Sequence, residues 1–235
     1  MKTEPVELLN GAFRPITDTT GFFECDAKAA ADAFYAWKDR TYSRDGRQLQ
    51  ITRVEAESLP KVLSTLLPLT SRTCRWLFVE TKSDWCAFFS NWWRGTDSTV
   101  IAPLGGVRLS CRSIRCTNVP YGESLGAIFE VYRPGWGEYG NTERTISALK
   151  DGSNWKFDVI GEPFGFEQVE RYQDRRIRDR FTPEMLDQYL KHFGIAAFDE
   201  SFYRNPNCTG YLVSIAGPKL PNSKEYDLKD VCIPA

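Results

Sequence analysis

The sequence predicts an α+β fold: a mostly antiparallel, aromatic-rich sheet flanked by helices, with a helix pair near the C-terminus. Capped helical spacing in "DAKAAADAFYAWKDR" and "TPEMLDQYLKHFG" predicts the helices. Two aromatic-rich extended runs, "TCRWLFVETK" and "DWCAFFSNWW", joined by Lys82-Ser83-Asp84, predict a β-hairpin. Further extended runs around turn residues predict that the sheet continues through the third quarter of the chain.

In chain order, "GFFEC" reads as a short strand. Asp26 then caps a helix whose Ala30, Phe34 and Trp37 share one face. "RQLQITRVEA" alternates through Leu49, Ile51 and Val54, as a strand does. "SLPKVLSTLLPL" reads as a helix with Ser58 at its cap, Pro60 in its first turn and Pro68 ending it. In "DWCAFFSNWW", Trp85, Ala87 and Phe89 fall on one face, and Cys86, Phe88, Ser90 and Trp92 on the other. Large apolar groups on both faces mark a central strand covered on both sides. Thr96 or Asp97 can cap a short helix, "STVIAPL", closed by Gly105-Gly106. The runs "SCRSIRCTNV", "GAIFEVYR", "ERTISALKD" and "NWKFDVIGE" follow, the last two around a Gly152-Ser153 turn.

The C-terminal helix pair begins with "FEQVERYQDRRIRDR". Phe166, Val169 and Ile177 form its stripe, and Glu167–Arg171 and Asp174–Arg178 are acid-before-base pairs at i,i+4, worth about 0.3 kcal/mol each. Five arginines against four acids describe a solvated, ion-paired face rather than a basic recognition helix. In the second helix Thr182 caps, Pro183 takes the first helical position and Gly194 ends it; Met185, Leu186, Tyr189, Leu190 and Phe193 supply the buried face. "GYLVSIAG" is a late strand. The chain reads as a single α+β domain over residues 1–235, with a candidate subdomain boundary near residue 70, where helix–strand alternation gives way to hairpins.

Composition narrows the function classes. The 235 residues carry 30 Lys+Arg against 31 Asp+Glu, a formal net charge of −1, without the basic footprint of a nucleic-acid binder. "MKTEPVELLNGAF" has neither the cationic start nor the apolar core of a signal peptide, and no apolar run is long enough to cross a bilayer. Seven cysteines, scattered and odd in number, suit reduced thiols in a cytoplasmic protein. No nucleic-acid or membrane partner is expected.

Tests for chemistry return no reaction. "GWGEYG" at 135–140 satisfies G-x-G-x-x-G, but it follows Pro134 and precedes another strand, so it reads as a glycine-rich hairpin loop rather than a dinucleotide fingerprint. Cys111 and Cys116 lack two further zinc ligands and fall on opposite faces of a regular strand. His192, the only histidine, lies in a last helical turn, where it complements the helix dipole. Asp84, Asp97, Glu123, Glu130 and Glu138 form no spacing that singles out an acid–base pair, and no phosphate loop is present. No cofactor, metal site or catalytic residue is expected.

"WWRGTD" (Trp92 to Asp97) together with "RYQDRRIRDRFTPEMLDQYL" (Arg171 to Leu190) resembles uncharacterised bacterial cytosolic proteins of toxin–immunity gene neighbourhoods. The resemblance implies a non-enzymatic immunity protein that neutralises a cognate toxin by binding it; it transfers no functional residue. Interfaces draw affinity from Trp, Tyr and Arg anchors. The partner-binding candidates in apparent loops are Trp93, Arg94, Tyr121, Arg133, Trp136, Glu138 and Tyr139. The alternative is an enzyme or small-ligand protein with an aromatic cleft at Trp92, Trp93 or Trp136 and a carboxylate from Asp97 or Glu138.

Overall fold

In the computed structural model, residues 6–120, 125–138, 140–204, 206–217 and 220–231 are described. The elements, in order, are β1 (Thr19–Phe23), α1 (Ala27–Arg44), β2 (Gln48–Ala56), α2 (Leu59–Leu63), β3 (Leu69–Thr70), β4 (Arg75–Val79) and β5 (Cys86–Ser90). There follow α3 (Ile101–Pro103), β6 (Ser113–Val119), β7 (Gly126–Gly137), β8 (Gly140–Asp151) and β9 (Asn154–Ile160). α4 (Pro183–His192), β10 (Cys208–Ala216), β11 (Glu225–Tyr226) and α5 (Leu228–Val231) complete the chain.

Nine strands form one sheet in the order β2-β10-β4-β5-β1-β6-β7-β8-β9, and β11 pairs with β3 in a small second sheet. Every paired neighbour is antiparallel. The mostly antiparallel α+β class read from the sequence is the one observed. Strands from either side of residue 70 interleave in the large sheet: β2 pairs with β10, which pairs with β4.

Cores lie on both faces of the sheet. On one, α1 covers the aromatic centre: Asp26 Oδ1 caps the helix by accepting the Ala29 amide at 3.0 Å, and Phe34 packs on Trp76 and Phe78, with ring centroids 5.0 and 5.7 Å apart. On the other lie α2, α4 and the segments at 8–18 and 162–181, with Trp85, Ala87 and Phe89 beneath them. β5 therefore divides as its alternation predicts, because Cys86 and Phe88 belong to the α1 side. Fully burying each of its phenylalanines contributes about 1.5–3 kcal/mol. In α4, Thr182 Oγ1 accepts the Met185 amide at 3.4 Å, as its cap position predicts.

Local expectations fail at residues 166–180 and at Ser58, and the alternative left open between Thr96 and Asp97 is resolved. Residues 166–180 do not form the first helix of a C-terminal pair. They form two 3₁₀ turns, Val169–Gln173 and Ile177–Asp179. Glu167 is withdrawn from the surface to pair with Arg144 of β8 at 2.6 Å, while Arg171 pairs with Asp174 and Arg178 with Asp179. Ser58 occupies the α2 cap position without a side-chain bond. Of the two cap candidates near residue 96, Asp97 caps, accepting from Thr99 N at 3.1 Å; Thr96 instead accepts from Ser90 N and donates to Ile16 O.

Gly105-Gly106 do not close the following helix. After α3 the chain continues as a π-helical stretch, Leu104–Leu109. The glycines are required by close approach: a Cβ on Gly105 would lie 2.4 Å from Ser113 Oγ, and one on Gly106 would lie 2.5 Å from Gly135 O. The helix is thus clamped between β6 and the far end of β7.

Candidate interaction surface

β7 and β8 each run for 12 residues, but β6 pairs with β7 only through Tyr132 and β9 pairs with β8 only from Thr145 onward. Beyond those points the two strands project as an arm, with pairing irregularities between Val131 and Gly137. Arg133, Trp136 and Glu138 are all exposed on it, and Trp136 is 55 % accessible. Asn141 holds the base: its Nδ2 donates to Ala102 O at 3.2 Å and to Arg133 O at 3.1 Å.

The 104–109 stretch, pressed against Gly135, adds exposed Val107 and Arg108 beside the arm. Arg108 extends the surface to α1, its guanidinium lying 5.6 Å from the Trp37 ring centroid. Ala33, Ala36, Trp37, Arg40 and Arg108 line a recess of about 220 Å³ there. Lys38 Nζ lies 4.0 Å from the same ring. Burial lowers its pKa, and the Asp97 charge opposes that shift. The surface therefore joins Trp37, Trp136 and Val107 with Lys38, Arg40, Arg108, Arg133 and Glu138, of which the tryptophans and arginines are the residue types that anchor interfaces. Trp37, read as part of the buried stripe of α1, is only half-buried here.

Trp93 and Arg94 do not join this surface. Trp93 is partly buried, stacks on Tyr226 at 5.2 Å and carries the Arg94 guanidinium 4.6 Å from its ring centroid. Asp97 accepts from Thr99 N and Oγ1. Tyr121, Glu123 and Tyr139 lie outside the described residues. His192 stacks on Phe166 at 4.4 Å at the end of α4. Sequence reasoning missed Val107, Arg108 and the outward role of Trp37. The dense "GGVR" after a short helix was the available signal, since paired glycines inside a helix mark close backbone approach.

A larger cleft of about 480 Å³ opens between the start of α1 and the β4–β5 turn, lined by Glu24, Cys25, Asp26, Glu80, Asp84 and Trp85 among others. Cys25 contacts Cys111, which favours its thiolate, yet Cys86 and burial outweigh that contact and push the thiol up. Cys111 is raised by Cys25 and by burial. Both thiols are held protonated and are poor nucleophiles. Among the described residues no cluster of His, Cys, Asp or Glu is arranged to hold a metal ion, and no helix is long and apolar enough to cross a membrane. No family model, curated protein or solved structure matches the chain.

Proposed function

We propose that this chain is a non-enzymatic binding protein of the bacterial cytoplasm that neutralises a cognate toxin by docking through the arm surface. The observation that carries this reading is Trp136, more than half exposed at the end of a two-stranded arm whose base is fixed by Asn141. An indole held in water on a preorganised support gives up its hydration on docking with little loss of conformational freedom. The basic side chains of this surface, Arg133 on the arm and Lys38, Arg40 and Arg108 about Trp37, call for a partner face rich in carboxylates, which steer encounter and set register.

Co-expression with toxins encoded beside the gene tests the reading. The intact chain should protect cells and co-purify with one toxin. Trp136→Ala should weaken that complex by about 2 kcal/mol, near 30-fold in Kd, with unfolding unchanged within about 0.5 kcal/mol. Neither protection nor a complex with any neighbouring toxin would sink the proposal. A saturable change in tryptophan fluorescence with a small metabolite, abolished by Trp93→Ala, would instead support the aromatic-cleft alternative.

A further inference from the structure

The sheet ends on one side in β9, an edge strand that carries both exposed charges, Lys156 and Asp158, and exposed apolar side chains at its end. Val159 and Ile160 are 45 % and 58 % exposed. The two-residue Gly152-Ser153 turn, with Gly152 at φ +59°, makes Asp151 and Asn154 the closing hydrogen-bonded pair of the β8–β9 hairpin. Residues 154, 156, 158 and 160 therefore direct their backbone groups to β8, and residues 155, 157 and 159 direct theirs outward. The Ile160 carbonyl fits this phase, since it accepts from Arg144 Nη1 of β8 at 3.2 Å.

The geometry points to a second copy of this chain as the occupant of the edge, paired antiparallel through β9 about a two-fold axis at Phe157. In that register Phe157 meets Phe157 through outward-facing backbone groups, and Trp155 of each copy meets Val159 of the other. Lys156 of each copy stands opposite Asp158 of the other, at the closely spaced non-hydrogen-bonded position where cross-strand side chains are nearest. Alternative centres lose this match. An axis at residue 156 or 158 opposes like charges, one at 155 sets Lys156 against Asn154, and one at 159 sets Asp158 against Ile160. The opposite-charge register is also the one that uses the full strand, because Phe157 is its midpoint.

The other edge, β2, contrasts. Its opposed charges, Arg53 and Glu55, centre on Val54, so a charge-matched pairing would engage only residues 52–56 of a strand spanning Gln48–Ala56. None of the exposed large apolar side chains lies on it. The β9 edge is separate from the arm, so pairing there leaves Trp136 open to a partner and extends the sheet from nine strands to a continuous sheet of two copies.

Sedimentation velocity over a concentration series tests the inference on the full chain. The wild-type chain should shift to twice the chain mass as concentration rises. Lys156→Asp and Asp158→Lys each place two like-charge oppositions across the axis and should weaken dimerisation by about 10- to 100-fold. The combined K156D/D158K exchange restores opposite charges across the axis and should recover most of the lost affinity; the recovery is incomplete because the acid placed at position 156 then faces Asp151, which Lys156 pairs at 2.6 Å in its own hairpin. Val159→Pro removes an outward amide while sparing the β8 pairing, and should leave a folded monomer by circular dichroism. A wild-type chain that stays monomeric at all concentrations, or a dimer indifferent to both charge reversals and to V159P, would overturn it.

Discussion

Glu167 is the position where a small chemical change should cost this fold most. Its side chain is 0 % exposed and Arg144 is 3 % exposed. The carboxylate accepts from Arg144 Nε at 2.9 Å and Nη2 at 2.6 Å, from Tyr172 Oη at 2.9 Å and from Phe164 N at 2.9 Å. Glu167→Gln preserves shape but leaves the guanidinium buried without a counter-charge, which costs about 3–5 kcal/mol. At this chain length each kcal/mol lowers Tm by about 2–4 °C, so the expected fall is about 6–20 °C. Arg144→Met should cost a similar amount. The double variant R144M/E167L removes both charges, and its cost should fall short of the sum of the single costs by at least about 2 kcal/mol. Urea unfolding followed by tryptophan fluorescence measures all three. A loss below about 1 kcal/mol for E167Q, or singles that add to the double, would refute the argument that the pair is coupled and fully desolvated.

Two further outcomes follow from other buried groups. Thr96→Val removes a hydroxyl that donates to Ile16 O at 3.0 Å and accepts from Ser90 N at 3.2 Å, so it should cost about 2–3 kcal/mol in chemical unfolding, while Thr96→Ser stays within about 1 kcal/mol; equal losses would exclude the hydrogen bonds as the cause. Stability should hold at neutral pH and fall as pH rises above about 9 to 10. Burial raises Tyr203 and Cys116 and pushes Cys208 up to about 12, so the unfolded chain releases these protons first, and stability is lost as pH climbs toward the folded values. A Tm that stays constant from pH 7 to pH 11 would contradict this.

Local signals were legible where one element settles its own conformation. The caps of α1 and α4, the hairpin turn at Gly152-Ser153 and the two faces of β5 each depend on residues a few positions apart. Partners across the sheet were not, because alternation assigns a strand its faces and leaves its neighbour open. β10 reads as an apolar strand, but nothing within "GYLVSIAG" places it between β2 and β4. The candidate site divides in the same way. Trp136 and Arg133 were visible as aromatic and basic groups near a glycine-rich turn. Trp37, Val107 and Arg108 join them only because Gly106 lets the π-helical stretch meet Gly135, a contact across about 30 residues of chain. Trp93 shows the reverse: its loop position suggested an open anchor, and Tyr226, near the other end of the chain, supplies its stacking partner.

The misread segment at 166–180 shows what decides such cases. Its acid–base spacing at i,i+4 favours a helix by a few tenths of a kcal/mol per pair, since both charges would remain hydrated. Burying Glu167 against Arg144 instead couples the segment to β8, and it brings Tyr172 onto the same carboxylate and onto Tyr189 of α4 at 3.2 Å. Breaking that network costs several times the helical pairs, so the tertiary contact sets the backbone and the periodicity yields. The network also fixes the end of β9, because Arg144 Nη1 donates to the Ile160 carbonyl while Tyr172 packs on Phe157 with ring centroids 5.3 Å apart. The buried charge of this fold therefore anchors its outermost strand from within. These contacts tie both Ile160 and Phe157 of the edge strand to the buried network, which is the support that the proposed pairing with a second copy would draw on.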